Sequence, residues 1–69
     1  MAMSANAKRT LNFLASAGPY ANTTVTGDEC DEIMLQTGGS ILAQGRLFNI
    51  KSKRLSPKVY HLSLELANP

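Results

Sequence analysis

Five of the chain's seven basic residues, Arg46, Lys51, Lys53, Arg54 and Lys58, fall within thirteen positions that contain no acid. Cations gathered in this way neutralise phosphates and release counterions, so the segment points to a polyanion as partner. Five phosphate contacts imply a log–log salt slope of about −4.5. The competing reading is a solvated strand tip, where lysines discourage edge-to-edge pairing. The acids are gathered too: Asp28, Glu29, Asp31 and Glu32 are four of the five in the chain. A net charge of only +2 conceals this separation.

Residues suited to covalent or metal chemistry are few. One cysteine and one histidine leave no internal disulfide and no Cys/His zinc site. Cys30 lies on an apolar stripe with Ile33 and Met34 and reads as a small buried hydrophobe. His61 alternates away from Tyr60 and Leu62, onto the polar side of a strand. A buried thiol and an exposed ring do not make a nucleophilic pair. Gly38-Gly39-Ser40 lacks the preceding strand and the Gly-Lys-Ser/Thr ending of a phosphate-binding loop. Neighbouring acids on a helix do not converge on one point, which argues against a metal site at Asp28, Asp31 and Glu32. No enzyme activity, metal or cofactor is expected. The Asn22-Thr23-Thr24 sequon reads as a polar connection, because Met1 to Arg9 has no apolar core of a signal peptide. No run approaches the roughly 20 apolar residues needed to cross a bilayer, so a cytoplasmic chain without a membrane partner is expected.

These side chains need elements to hold them. Sixty-nine residues make a single domain, 1–69, with 1–4 and 67–69 expected to fray. Ser4 to Ala17 has helical spacing, with Ala7, Leu11, Leu14 and Ala15 on one face, widened by Phe13 and Ala17. Gly18-Pro19 ends it, Gly18 as a left-handed cap. A short strand is expected near Thr23-Thr24-Val25. Thr26-Gly27-Asp28-Glu29 is a capping box, and acids in the first turns suit the helix dipole. This second helix should end near Gln36, before Gly38-Gly39. A short third helix is expected next, capped by Ser40 or by Thr37, carrying Ile41, Leu42 and Ala43 and stopped at Gly45. Phe48 and Ile50, then Tyr60, Leu62, Leu64 and Leu66, alternate as two strands. They are joined by a basic loop, Lys53 to Lys58. The fold class is therefore α+β: three helices followed by a two-stranded antiparallel hairpin.

Ile41-Leu42-Ala43-Gln44-Gly45-Arg46-Leu47 is similar to the end of a recognition helix entering a first wing strand. Lys58-Val59-Tyr60-His61-Leu62-Ser63 is similar to the returning wing strand. On these residues the chain resembles a small winged helix-turn-helix domain, over nearly its whole length. The resemblance implies a DNA-binding transcriptional regulator. Arg46, Lys51, Lys53, Arg54 and Lys58 would hold the phosphates of double-stranded DNA, and Thr37, Ser40 and Gln44 would read bases from the third helix. The chain departs from the family in its short third helix and its acidic second one. It is also similar in size to phage-encoded winged-helix proteins, some of which act on host RNA polymerase. That implies an alternative, a module docking on a transcription-machinery protein through Asp28, Glu29, Asp31 and Glu32. Partial exposure of Leu47, Leu55 and Leu66 leads to the expectation of a homodimer.

Overall fold

The structure is a computed structural model that describes residues 3–67. The expected fraying at 1–2 and 68–69 lies outside the described residues. Helix α1 spans Ala5–Ala17, and the Ser4 side chain caps it by accepting from the Ala7 N–H. Gly18 ends it at φ 60 and ψ −130, with its N–H donating to the Leu14 carbonyl. This is not the left-handed helical cap expected; it leads into a 3-10 turn, Gly18–Tyr20. Strand β1, Asn22–Thr26, follows. The capping box then starts α2, Gly27–Thr37: Thr26 Oγ1 accepts from the Glu29 N–H and donates to the Glu29 carboxylate. Gly38, left-handed at φ 67, ends it.

The expected third helix does not form. Ser40–Ala43 is strand β2, followed by β3 (Arg46–Ser56) and β4 (Val59–Leu66). Among the described residues, two α-helices and one four-stranded antiparallel sheet, ordered β1-β4-β3-β2, therefore replace three helices and a two-stranded hairpin. The reason is local and tertiary together. Gly38 and Gly39, both at positive φ, turn the chain away from α2. Gln44 (φ 54) and Gly45 (φ 76) then form a tight two-residue hairpin turn of primed type, so Gly45 closes a hairpin and does not stop a helix. Ser40-Ile41-Leu42-Ala43 is too short to complete two helical turns, whereas β3 offers it a ladder with Ile41 opposite Phe48.

Both helices cover one face of the sheet. Ala7 and Leu14 from α1 and Cys30 and Ile33 from α2 pack with Val25, Ala43, Phe48, Ile50, Leu62 and Leu64 from the strands. Phe48, Leu14, Ile33 and Leu62 are the largest fully buried side chains. Each contributes about 1.5–3 kcal/mol of burial. Alternation sends the intervening residues to the other face, which no element among the described residues covers.

Candidate nucleic-acid interface

Two of the basic residues expected on a loop, Lys53 and Arg54, are built into a strand instead, while Lys58 stays in the turn. β3 continues to Ser56, and only Pro57 and Lys58 turn the chain into β4. Strand alternation then divides the cations. Lys51 pairs with Ser63 and Lys53 with His61, on the uncovered face. Arg54 pairs with Tyr60 on the helix-side face, and its Nε donates to the Ser56 carbonyl at 3.3 Å. A bulge between Arg54 and Ser56 leaves Leu55 as the extra, exposed residue. Arg46 lies at the far end of β3, opposite Ala43 beside the tight turn. Lys58 sits at the other end, where it shares a surface depression with Thr26, Gly27, Asp28 and Pro57. The five cations thus do not converge. Only Lys51 and Lys53 stand side by side on one face, about 6.6 Å apart by strand rise.

Their neighbourhood is polar. Thr24 on β1 pairs with His61, and Asn22 pairs with Ser63. His61 Nε2 contacts Asn22 Oδ1. Toward β2, Ser40 Oγ donates to Asn49 Oδ1 at 3.1 Å. Glu65, opposite Asn49, is the one acid on this face among the described residues. No ion pair among the described residues occupies Lys51 or Lys53. Phe48 and Tyr60 have the opposite strand parity, so no strand aromatic offers a stacking surface here.

The three side chains assigned to base reading are dispersed and engaged in structural bonds. Thr37 Oγ1 donates to the Ile33 carbonyl and accepts from Gly39 N–H at the end of α2. Ser40 joins the cross-strand bond to Asn49. Gln44 Nε2 donates to the Ser16 carbonyl at 3.0 Å, tying the β2–β3 turn to the end of α1. With no third helix, no groove-filling helix presents them.

Two of the four clustered acids are also engaged. Glu29 completes the capping box, and Glu32 Oε2 accepts from the Ser4 N–H at 3.0 Å, joining the start of α1 to the middle of α2. Asp28 and Asp31 are exposed on α2, with Leu35 (68% exposed) on the same side one further turn along. No group of three potential metal ligands gathers among the described residues. Cys30 is buried; burial first and the Asp31 carboxylate second push its thiol up from the ordinary range. Among the described residues no helix is long and apolar enough to cross a membrane. What sequence reasoning missed is the uncovered sheet face, where Asn22 and Thr24 join Ser63 and the lysines only once β1 pairs with β4. Comparison of the chain with protein-family models, curated proteins and solved structures finds no match.

Proposed function

We propose that the chain binds double-stranded DNA by its phosphate backbone, through the uncovered sheet face and without reading bases from a helix. The observation that carries this is the pair Lys51 and Lys53, unpaired with any acid and set among Thr24, Ser63, Asn22 and His61. Ammonium groups supply counterion release, and hydroxyls and amides donate to phosphate oxygens. The four acids of α2 belong to the helical layer on the other side of the sheet, so they do not repel a polyanion lying on this face. Two phosphate contacts give a log–log salt slope of about −1.8, well short of the −4.5 that five would give. Without a groove helix to reach base edges, affinity is nearly independent of sequence.

The test is titration of a labelled mixed-sequence duplex at low salt. Lys51→Ala with Lys53→Ala abolishes binding, whereas Gln44→Ala leaves sequence preference unchanged. Absence of binding by the wild-type protein in the sub-millimolar range defeats the proposal.

A second reading, a module for a basic protein of the transcription machinery, is favoured by one observation: Asp28, Asp31 and the exposed Leu35 share a side of α2. An apolar anchor flanked by charge suits a protein partner better than DNA. Leu35→Glu would weaken such a complex and leave duplex binding untouched.

A further inference from the structure

We infer that β2 is a homodimerisation edge, where two copies pair antiparallel and continue the sheet across a two-fold axis. The β2–β3 ladder has a fixed hydrogen-bonding phase. Ile50 N–H donates to the Gly39 carbonyl at 2.8 Å, so Gly39 and Ile50 form a hydrogen-bonded pair. Such pairs alternate with non-bonded ones along an antiparallel ladder. Ile41 opposite Phe48 is therefore bonded, while Ser40 opposite Asn49 and Leu42 opposite Leu47 are not. The backbone N–H and C=O groups of Ser40 and Leu42 consequently point away from β3. β2 is the last strand of the sheet, so they point into the open edge.

One register satisfies all of them. With the two-fold axis at Ile41, Ser40 faces Leu42 of the partner subunit, and Leu42 faces Ser40 of the partner subunit. Each of these pairs exchanges two bonds, four in all. The two Ile41 side chains then meet at the axis in a non-bonded pair, where side chains approach most closely. They meet on the helix side, where Ile41 already packs against the core at its margin. On the other face the two Leu42 side chains become diagonal neighbours, within reach of one another. Leu42 is 73% exposed in one copy, and its strand neighbour Leu47 is 46% exposed.

The edge also lacks the usual guards. Natural edge strands carry lysine, proline or a bulge to deter pairing. Ser40-Ile41-Leu42-Ala43 has none of these, and its register with β3 runs without a shift. The opposite edge differs: β1 turns Asn22, Thr24 and Thr26 to the uncovered face and offers no exposed large apolar side chain there. Apolar burial thus selects β2, and a two-fold through β2 closes the assembly at two copies. The strand is short, so the dimer is of the weak, exchanging class.

Analytical ultracentrifugation from about 10 µM to about 1 mM spans that class. Wild-type protein is expected to approach twice the 7.4 kDa chain mass as concentration rises. Leu42→Lys, at an exposed position, keeps the fold by circular dichroism and weakens the dimer at least about tenfold. Leu42→Pro removes only an N–H that faces the open edge, and has the same effect. Amide exchange at Ser40 and Leu42 slows with concentration in the wild type alone. Wild-type protein that stays at 7.4 kDa throughout overturns the inference, and so does a dimer that Leu42→Lys leaves intact. Lys51→Ala with Lys53→Ala does not change the dimer, which separates this result from the DNA reading.

Discussion

The contact between Gly18 and Gln44 gives a quantitative handle on the fold. Gly18 adopts φ 60 with ψ −130, a region in which a side chain costs about 1–3 kcal/mol. A Cβ placed there would also lie 3.0 Å from Cδ, Nε2 and Oε1 of Gln44. The Gln44 amide cannot retreat without surrendering its bond to the Ser16 carbonyl, worth about 0.5–1.5 kcal/mol. Gly18→Ala therefore costs about 2–4 kcal/mol, the sum of backbone strain and a displaced hydrogen bond. Gln44→Ala alone costs about 1 kcal/mol. In the double variant the bond is already gone and the Cβ no longer meets the Gln44 amide, so its cost equals that of Gly18→Ala rather than the sum. A double-mutant cycle by urea unfolding, monitored by circular dichroism, should return a coupling of about 1 kcal/mol. A domain of this size has roughly 3–5 kcal/mol in hand, so the Gly18→Ala midpoint falls steeply. Strict additivity, or a Gly18→Ala variant as stable as wild type, would refute the argument.

Two further perturbations probe the helical layer. Thr26→Ala removes the α2 cap and should lower unfolding free energy by about 1 kcal/mol, while Thr26→Ser retains it; equal losses in both would show that the hydroxyl does not cap. For Cys30 the folded thiol ionises at higher pH than the unfolded one, so its contribution to stability is complete below the ordinary thiol value and is lost as pH rises from there through the raised folded value. The urea midpoint should fall between pH 7 and pH 10 by more in wild type than in Cys30→Ala, and parallel declines would contradict this. The same burial predicts that Ellman's reagent labels Cys30 only on unfolding.

The first half of the chain was readable because its signals are local. Ser4 as a cap, the Thr26–Glu29 box and the apolar stripe of Cys30 and Ile33 each act within a few residues. The second half depends on pairing. Ile41-Leu42-Ala43 is an apolar run too short for periodicity to separate helix from strand. The deciding turn is Gln44-Gly45, where Gln44 takes positive φ although asparagine, aspartate or glycine is the usual resident. Its side-chain bond to Ser16, 28 positions away, is invisible in a local window. The basic run was visible as composition, but its division was not. Pro57 suggested that the turn began several residues earlier than it does, and a loop would have let Lys53, Arg54 and Lys58 gather. As strand residues, Lys53 and Arg54 must point to opposite faces.

That division is the core of the functional account, and the salt dependence of duplex binding measures it. Affinity for a labelled mixed-sequence duplex, followed by fluorescence anisotropy over a range of salt concentrations, should give a log–log slope of about −1.8. The slope should vanish with binding in Lys51→Ala plus Lys53→Ala and persist in Arg46→Ala. A slope near −4.5, or affinity that Arg46→Ala diminishes as much as the Lys51/Lys53 pair does, would mean that the cations act together and that the uncovered sheet face is not the binding surface.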